Sequence, residues 1–187
     1  MNGKRRGQWF CAVSLMGMAV VMAESERLPD EEPSSSSAQT TAATVPATTP
    51  GFRKACGGCH FAYPAGLLPP LSWERILTGL GDHFGTNAAL PKGELDDVRR
   101  YLLNNAGGRG PSQLPYRLLR SLRHDVAPLR ITQIPYFVHK HDGLTTAAVR
   151  DNPQVRSLSR CEACHTRAEE GRFPEGEVQV PDGRLEN

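Results

Sequence analysis

Two stretches of the chain carry apolar residues at the spacing of an α-helix. The first covers residues 72–80, where Ser72 is placed to cap the helix and glycine follows at positions 79 and 81. The second covers residues 93–105, with Gly107 beyond its end. The apolar positions are Trp73, Ile76, Leu77 and Leu80 in the first and Leu95, Val98, Leu102 and Leu103 in the second. Both patterns predict amphipathic helices that bury one face.

The rest of the folded part is expected to form shorter elements joined by loops. They are a turn followed by a Pro/Gly-rich loop at residues 51–70, a short basic helix at 116–123, an extended segment at 129–138, a helix at 157–170 and an extended tail at 177–181. Pro135 argues against a central strand in the extended segment, and Gly171 is placed to end the last helix. The expected fold is a small, mainly α domain with extensive irregular loops.

The N-terminal residues have the pattern of a secretory signal peptide. A basic start at positions 4–6 precedes an apolar run over residues 9–23, which ends at Ala23 in a small-x-small sequence. We therefore expect residues 1–23 to be cleaved after Ala23 and the protein to be exported. An uncleaved anchor is the alternative, although the run is shorter than the ~20 residues of an ordinary membrane span.

Residues 24–51 are expected to form a flexible linker. Within them, residues 33–50 contain only Ser, Thr, Ala, Val, Pro and a single Gln, with no charged or aromatic side chain. Such a segment cannot bury enough apolar surface to offset the entropy lost on ordering it. The folded domain is accordingly assigned to residues 52–187.

Removal of the signal peptide changes both the charge and the composition. The full chain has 22 basic and 20 acidic residues, and cleavage after Ala23 leaves 19 basic and 20 acidic, a formal charge of −1. This balance gives no reason to expect nucleic-acid binding. Cleavage also removes Cys11 and all 4 methionines, so that four cysteines and no methionine remain.

Two C-x-x-C-H motifs contain all of the remaining cysteines. They are Cys56-Gly57-Gly58-Cys59-His60 and Cys161-Glu162-Ala163-Cys164-His165. This spacing is the attachment signature of c-type haem. Two thiols three positions apart can add to the two vinyl groups of one porphyrin, and the histidine that follows can ligate the iron. The sequence therefore predicts two covalently attached c-type haems, with His60 and His165 as proximal ligands.

Other uses of paired cysteines fit this spacing less well. A four-cysteine zinc site usually has its pairs about 15–20 residues apart, whereas about 100 residues separate these two motifs. A thioredoxin-like redox pair needs a βαβ context that the pattern does not predict. Disulfides that join cysteines three positions apart would be strained. Zinc binding is thus the main alternative to haem.

Each haem iron needs a sixth ligand or is left open. Methionine is absent from the mature chain, and four further histidines are available for two positions. Ligation of both irons by two histidines is the simplest solution, and it implies lower reduction potentials than His/Met ligation. Lysine, tyrosine or a vacant position stays open at either iron. The candidate histidines are His83, His124, His139 and His141.

The candidate histidines differ in their surroundings. His83 follows the first predicted helix in a glycine-rich segment that allows a close approach to a porphyrin face. His139 and His141 share a face if the chain is extended there and point apart on a helix, so we expect only one of them to reach iron. His124 lies in a basic amphipathic stretch and resembles a surface histidine.

The haems are expected to supply much of the core. Aromatic residues make up only 6% of the chain, and two porphyrins would add the apolar area that its side chains lack. We therefore expect the haem-free protein to be largely unfolded. Arg130, and less so Arg75, are candidates to pair with haem propionates, because a guanidinium group matches a carboxylate well; a solvated arginine is the alternative.

The domain resembles the dihaem cytochrome c family (DHC) of bacterial periplasmic proteins over about residues 52–181. Short matching segments follow one another in the family's order, which is more specific than the attachment motif alone. They are the two cysteine motifs, Tyr63-Pro64, Leu67-Leu68-Pro69, Ser72-Trp73, His83-Phe84-Gly85, Tyr101-Leu102, Asn105-Ala106, Arg130-Ile131-Thr132, Pro135-Tyr136-Phe137, Lys140-His141, Ala168, Gly171, Phe173 and Pro181.

The resemblance implies a set of ligands and partners. It aligns the distal histidines with His83 and with His141 rather than His139, which pairs His60 with His83 and His165 with His141. It also implies low-potential haems, a periplasmic location and electron donation to a small oxygen-binding monohaem cytochrome. A membrane b-type cytochrome is the implied candidate for the upstream donor.

The expected function is the transfer of single electrons rather than catalysis. Two six-coordinate irons leave no open site for oxygen or peroxide, so we expect no small-molecule substrate. The alternative is an enzyme of the dihaem peroxidase kind. Such an enzyme needs one haem with a vacant or displaceable sixth ligand.

Overall fold

The computed structural model describes residues 48–110, 112–123 and 125–183, and these residues form six α-helices joined by turns and loops, without a β-strand. The predicted signal peptide, residues 24–47 of the predicted linker and His124 lie outside them. No helix within the described ranges is both long and apolar enough to cross a membrane. The mainly α class is confirmed. The helices are α1 (Pro50–Cys56), α2 (Pro70–Thr78), α3 (Lys92–Asn105), α4 (Gln113–Arg120), α5 (Pro135–His141) and α6 (Thr146–Val149).

Short 3-10 turns and two isolated β-bridges complete the described backbone. The bridges join His83 to Thr86 and His165 to Val178. The tail expected at residues 177–181 is therefore extended at Val178, where it pairs with the second cysteine motif. The 3-10 turns are Ala65–Leu67, Leu80–Asp82, Ile131–Gln133, Cys161–Ala163, Ala168–Glu170, Glu175–Glu177 and Pro181–Gly183.

The folded part begins a few residues before the boundary assigned from composition. Helix α1 starts at Pro50, and the hydroxyl oxygen of Thr49 caps it by accepting a 3.3 Å hydrogen bond from the Phe52 amide. Thr48 is buried. Proline is well suited to the first helical turn, where its missing N–H has no intrahelical partner. Residues 48–51 thus belong to the domain rather than to the linker.

Helices α2 and α3 lie close to their predicted positions. Helix α3 begins one residue before the predicted start, at Lys92, and ends at Asn105 as expected. Helix α2 begins at Pro70 rather than at Ser72. Ser72 is therefore not the cap but a fully buried residue of the first turn. Helix α4 begins and ends three residues before the predicted basic helix, at Gln113 and Arg120.

The prediction of an extended segment at 129–138 is wrong beyond Arg130. A 3-10 turn at Ile131–Gln133 leads into helix α5, and Pro135 occupies the first turn of that helix. Pro135 does exclude a central strand, but here it starts a helix with a preset backbone angle. His139 and His141 therefore lie on a helix, where residues two apart point in different directions.

The prediction of a helix at 157–170 is also wrong. The segment consists of two separate 3-10 turns, Cys161–Ala163 and Ala168–Glu170. Before the first turn, the Ser157 hydroxyl accepts a 3.1 Å hydrogen bond from the Ser159 amide. Serine side chains that bond the local backbone compete in this way with helix formation. Gly171 does end the second turn, in the left-handed conformation at φ 73°.

A continuous apolar core joins helices α1 to α5. Trp73 and Leu77 of α2 pack with Val98 and Leu102 of α3, and the Trp73 indole nitrogen donates a 2.7 Å hydrogen bond to the Ala65 carbonyl. This bond satisfies the polar end of a buried indole. The core residues all fall between positions 52 and 137. They are Phe52, Ala62, Ala65, Leu67, Leu68, Trp73, Leu77, Val98, Leu102, Ala106, Leu118, Ile131, Ile134 and Phe137.

Gly107 allows two loops to approach closely beside this core. Its amide donates a 2.9 Å hydrogen bond to the Leu68 carbonyl. A β-carbon at position 107 would lie 2.9 Å from the Gly66 carbonyl oxygen, closer than real contacts allow. The end of α3 is therefore held against the 65–68 turn by a contact that only glycine permits.

The C-terminal part has few buried apolar side chains of its own. Within the described residues from 143 onward, only Ala148, Val155 and Ala168 are buried apolar residues outside glycine and proline. Leu158 and Phe173 are partly buried and pack against the core. The expectation that a porphyrin supplies the missing core thus fits this part of the chain better than residues 52–137.

Candidate functional site

The first cysteine motif lies at the C-terminal end of helix α1. Cys56 is the last helical residue, and the Gly57 amide donates a 2.7 Å hydrogen bond to the Arg53 carbonyl. A β-carbon at position 57 would lie 2.5 Å from that oxygen, so only glycine fits there. Burial, with Glu94 adding to it, raises the pKa of the Cys56 thiol to about 11. Cys59 is exposed.

The imidazole ring of His60 lies near that of His83. The centres of the two imidazole rings lie 6.1 Å apart and their planes are 21° from parallel. The Nδ1 atom of His60 lies 2.8 Å from the Phe61 carbonyl oxygen. An Nδ1–H donor in this bond leaves Nε2 as the free, metal-binding nitrogen.

A tight turn presents His83. The His83 amide donates a 2.7 Å hydrogen bond to the Thr86 carbonyl, and the Thr86 amide returns one of 3.2 Å to His83. The Asp82 carboxylate accepts a 3.0 Å bond from the Gly85 amide, while Phe84 has a positive φ of 54°. Burial first, then His60 and Arg130, lowers the pKa of His83. A lowered pKa favours the neutral imidazole that can ligate a metal.

The C-terminal tail holds the second cysteine motif. The His165 amide donates a 2.8 Å hydrogen bond to the Cys161 carbonyl, and the Gln179 amide donates one of 2.9 Å to the Cys164 carbonyl. Burial is the main cause that raises the pKa of the Cys161 thiol to about 12 and raises that of Cys164 as well.

His165 faces His141 of helix α5. The ring centres lie 6.2 Å apart, and the planes are 68° from parallel. The His141 ring stacks on Phe137 at 3.9 Å, and its Nδ1 lies 2.8 Å from the Phe137 carbonyl oxygen. This bond orients the His141 imidazole with Nε2 free, as at His60.

Burial is the main influence on the protonation of the His165 imidazole. Burial, with His141 adding to it, lowers its pKa to about 4, so the ring is neutral near pH 7. Its buried Nδ1 has no hydrogen-bond partner in the described part of the protein. The Phe173 ring lies 5.4 Å away and covers one side.

Both histidine pairs have the separation that one shared metal ion requires. A ligating imidazole nitrogen lies about 2.0 Å from its metal and about 1.1 Å from its own ring centre, so two such rings facing one ion are about 6.2 Å apart. The observed separations are 6.1 Å and 6.2 Å. Each pair also contains the histidine of a C-x-x-C-H motif. The residues present therefore fit two c-type haems.

The four cysteines do not come together as a zinc site. Within the described residues, no group of three or more histidine, cysteine, aspartate or glutamate side chains is arranged to hold a metal ion. The two motifs thus form two separate sites, each with its own pair of imidazoles.

Three other candidates from the sequence are His139, Arg130 and Arg75. His139 is exposed and its Nδ1 lies 3.7 Å from the Asp142 carboxylate. Arg130 lies beside the first site, with its guanidinium carbon 3.9 Å from the centre of the Phe84 ring. Phe84 in turn meets His83 edge-on at 4.8 Å. The Arg75 guanidinium donates a 2.8 Å hydrogen bond to the Ala127 carbonyl, so its side chain has a partner within the protein.

Two supporting residues were named from the sequence only as matches to the family, without a role at the sites. Phe137 both stacks on His141 and accepts its Nδ1 hydrogen bond, a pairing of residues four apart that a predicted helix would have revealed. Tyr63 lies three residues after His60, with its ring centre 5.2 Å from the imidazole. Its position after the motif was visible in the sequence, but its second contact, to a residue 96 positions away, was not.

Comparisons with known proteins agree with two haem sites. A family model described as dihaem cytochrome c matches residues 52–173. A diheme cytochrome c structure from Rhodobacter sphaeroides is 38% identical, with a TM-score of 0.62, over 69% of this chain and 99% of that one. A diheme cytochrome c from Shewanella baltica OS155 is 35% identical, with a TM-score of 0.59, over 73% of this chain and 97% of that one. No curated protein matches.

Proposed function

This chain belongs to the dihaem cytochrome c family and carries two c-type haems, and on that premise we propose that it is a periplasmic electron carrier in which two histidines ligate each iron. Each bound haem supplies a one-electron Fe(III)/Fe(II) couple. The chain's part is to attach the haems through Cys56, Cys59, Cys161 and Cys164 and to hold the imidazoles in place.

The two facing histidine pairs carry this proposal. We assign His60 and His83 to the first iron and His165 and His141 to the second. The separations of 6.1 Å and 6.2 Å between ring centres support this assignment. Backbone carbonyls that accept from Nδ1 of His60 and His141 support Nε2 as the ligating atom. His139 is left as a surface residue.

Ligation by two imidazoles sets the expected potentials. Imidazole stabilises ferric iron better than a thioether does, so both potentials are expected to lie below those of His/Met cytochromes. All 4 methionines of the chain lie within the predicted signal peptide. The mature protein therefore has no methionine that could replace a distal histidine.

The proposed carrier function is tested by a ligand that needs an open iron. The reduced native protein is mixed with carbon monoxide and followed by absorbance. Two histidine-ligated irons should show no rapid binding at either haem. Rapid binding at one haem would overturn the carrier proposal and favour an enzyme of the dihaem peroxidase kind, because that chemistry requires a free or displaceable position.

Export and partners form the second part of the proposal. The basic and apolar pattern of residues 1–23 supports cleavage after Ala23 and export to the periplasm. The family resemblance supports a small oxygen-binding monohaem cytochrome as acceptor and a membrane b-type cytochrome as donor.

Two measurements test export and partners. The intact mass of the exported protein should correspond to a chain beginning at Glu24 with two haems added. Stopped-flow mixing of the reduced protein with an oxidised monohaem cytochrome should show electron transfer at a rate that depends on concentration.

A further inference from the structure

A single tyrosine touches both haem-binding parts of the chain. The Tyr63 ring lies beside the His60 imidazole, with 5.2 Å between centres and 35° between planes. The Tyr63 hydroxyl donates a 2.7 Å hydrogen bond to the carbonyl of Ser159. Ser159 lies two residues before Cys161, whose Sγ is 3.9 Å from the same oxygen. Tyr63 thus connects the first proximal histidine to the backbone that leads into the second attachment motif.

This hydrogen bond has no equivalent elsewhere in the described residues. No other hydrogen bond or ion pair in these ranges joins residues 48–110, which contain the first site, to residues 143–183, which contain the second motif. Hydrogen bonds formed in a partly buried environment fix geometry more firmly than those exposed to water. Beside the apolar contacts of Leu158 and Phe173 with the core, the Tyr63 hydroxyl thus supplies the hydrogen bond that places one attachment motif relative to the other.

Both ends of the bond are held in position. On one side, Tyr63 stands between the buried residues Ala62 and Pro64. On the other, the Ser159 amide donates to the Ser157 hydroxyl at 3.1 Å, and the two serine hydroxyls lie 2.7 Å apart. Buried neighbours on one side and local hydrogen bonds on the other thus position the two ends of the bond.

We propose that Tyr63 is a positioning residue that couples the two haem sites and sets the rate at which electrons pass between them. The connection runs from the His60 imidazole through the Tyr63 ring and hydroxyl to the Ser159 carbonyl and along the backbone to Cys161. One electron leaves the ferrous iron at one site and reduces the ferric iron at the other. No bond is made or broken, and Tyr63 stays a neutral phenol throughout.

The inference rests on the proposed electron-carrier function, and it is tested with the haem-loaded Tyr63→Phe variant. This change keeps the ring beside His60 and removes only the hydroxyl. Tyr116→Phe is the matched control, because Tyr116 is an exposed tyrosine on helix α4. Exchange NMR of the half-reduced protein, extrapolated to low concentration, measures electron exchange within one molecule. We expect a several-fold loss of this rate in Tyr63→Phe, with both haems attached and low-spin, and no loss in Tyr116→Phe.

A second measurement does not depend on electron transfer. Arg156 and Arg160 are exposed trypsin sites on either side of Ser159. If Tyr63 fixes this segment, trypsin should cleave the haem-loaded Tyr63→Phe protein there several-fold faster than the wild type or Tyr116→Phe. Should Tyr63→Phe fail to load haem, Ser157→Ala takes its place, because it removes the hydroxyl that braces Ser159 and is expected to act in the same direction.

The outcomes separate this inference from the proposed function. Exchange and cleavage rates equal to those of the wild type in Tyr63→Phe, or in Ser157→Ala where that variant replaces it, would overturn the coupling role while the wild type stays low-spin at both irons. A wild-type protein with a high-spin iron would overturn the proposed function instead. Faster cleavage with an unchanged exchange rate would reduce Tyr63 to a structural contact and would also contradict the proposal.

Discussion

The imidazole planes of His60 and His83 lie 21° from parallel, whereas those of His141 and His165 are 68° apart. When the two imidazole planes on one iron are nearly parallel, both rings interact with the same one of the iron dxz and dyz orbitals. The energies of these two orbitals then differ. Planes that are nearly perpendicular leave this pair close in energy. If these pairs ligate the irons as proposed, the two irons are expected to differ in electronic structure although both pairs consist of imidazoles.

Low-temperature EPR of the oxidised protein should resolve this difference. We expect two low-spin ferric signals of equal intensity, a rhombic one from the His60/His83 site and one with a larger maximum g value from the His141/His165 site. His141→Ala should remove only the second of these. Two identical signals would contradict the ring orientations found here.

Replacement of His141 should open the second iron. In His141→Ala, the imidazole that we propose as distal ligand is lost, and the reduced protein should bind carbon monoxide at one haem. His139→Ala is the control, because His139 is exposed and turned towards Asp142. If His139→Ala opened the iron and His141→Ala did not, the two assignments would have to be exchanged.

Replacement of His83 by methionine should affect the first haem alone. A thioether ligand favours ferrous iron relative to imidazole, so the potential of one haem should rise while the other stays nearly unchanged. Potentiometric titration followed by visible absorbance measures both values. A His83→Met protein with wild-type potentials and spectra would show that His83 is not a ligand.

Removal of the charge at Arg130 should lower the potential of the first haem. Arg130 lies over Phe84, which contacts His83, and a nearby positive charge stabilises ferrous over ferric iron. We expect Arg130→Gln to lower that potential by an amount on the order of tens of millivolts at low salt, and less at high salt.

Arg120→Gln is the matched control for this change. Arg120 lies in a similar way over the Tyr116 ring, at 5.5 Å, but on helix α4. Its replacement should leave the potential of the first haem unchanged. An equal shift in both variants would mean that net charge, rather than the position of Arg130, is responsible.

The close contact at Gly107 should appear as a loss of stability. In Gly107→Ala, a β-carbon would lie 2.9 Å from the Gly66 carbonyl oxygen, and overpacking of this kind costs about 1–3 kcal/mol of unfolding free energy. Gly93→Ala in the first turn of α3 is the control, because nothing lies within 4 Å of its β-carbon position. Denaturant unfolding of the haem-loaded proteins should show Gly107→Ala alone to be destabilised.

The helices that pack against one another could be read from the sequence, and the irregular segments could not. The apolar spacing of α2 and α3 reflects burial against each other, so the pattern and the structure share one cause. Helix α5 has only seven residues, too few for a pattern to distinguish a helix from an extended segment. The serines before Cys161 bond the local backbone, which an apolar pattern does not record.

The features of the candidate sites also fall into those that the local sequence predicts and those that depend on the fold. The attachment motifs are local, so their spacing was sufficient to predict two haems. The pairing of His83 with His60 and of His141 with His165 required either a family resemblance or the fold, because each pair is distant in sequence. The contact between Tyr63 and Ser159, 96 positions apart, depends on tertiary structure alone and left no pattern in the chain.

The pairing of Val178 with His165 has a consequence for the order of assembly. Residues 175–179 hold the second motif through the Val178–His165 bridge and the hydrogen bond from the Gln179 amide to the Cys164 carbonyl. A tail folded over the motif in this way would hinder access to its thiols. We therefore expect the second porphyrin to be joined while the exported chain is still unfolded, before the tail closes over Cys164.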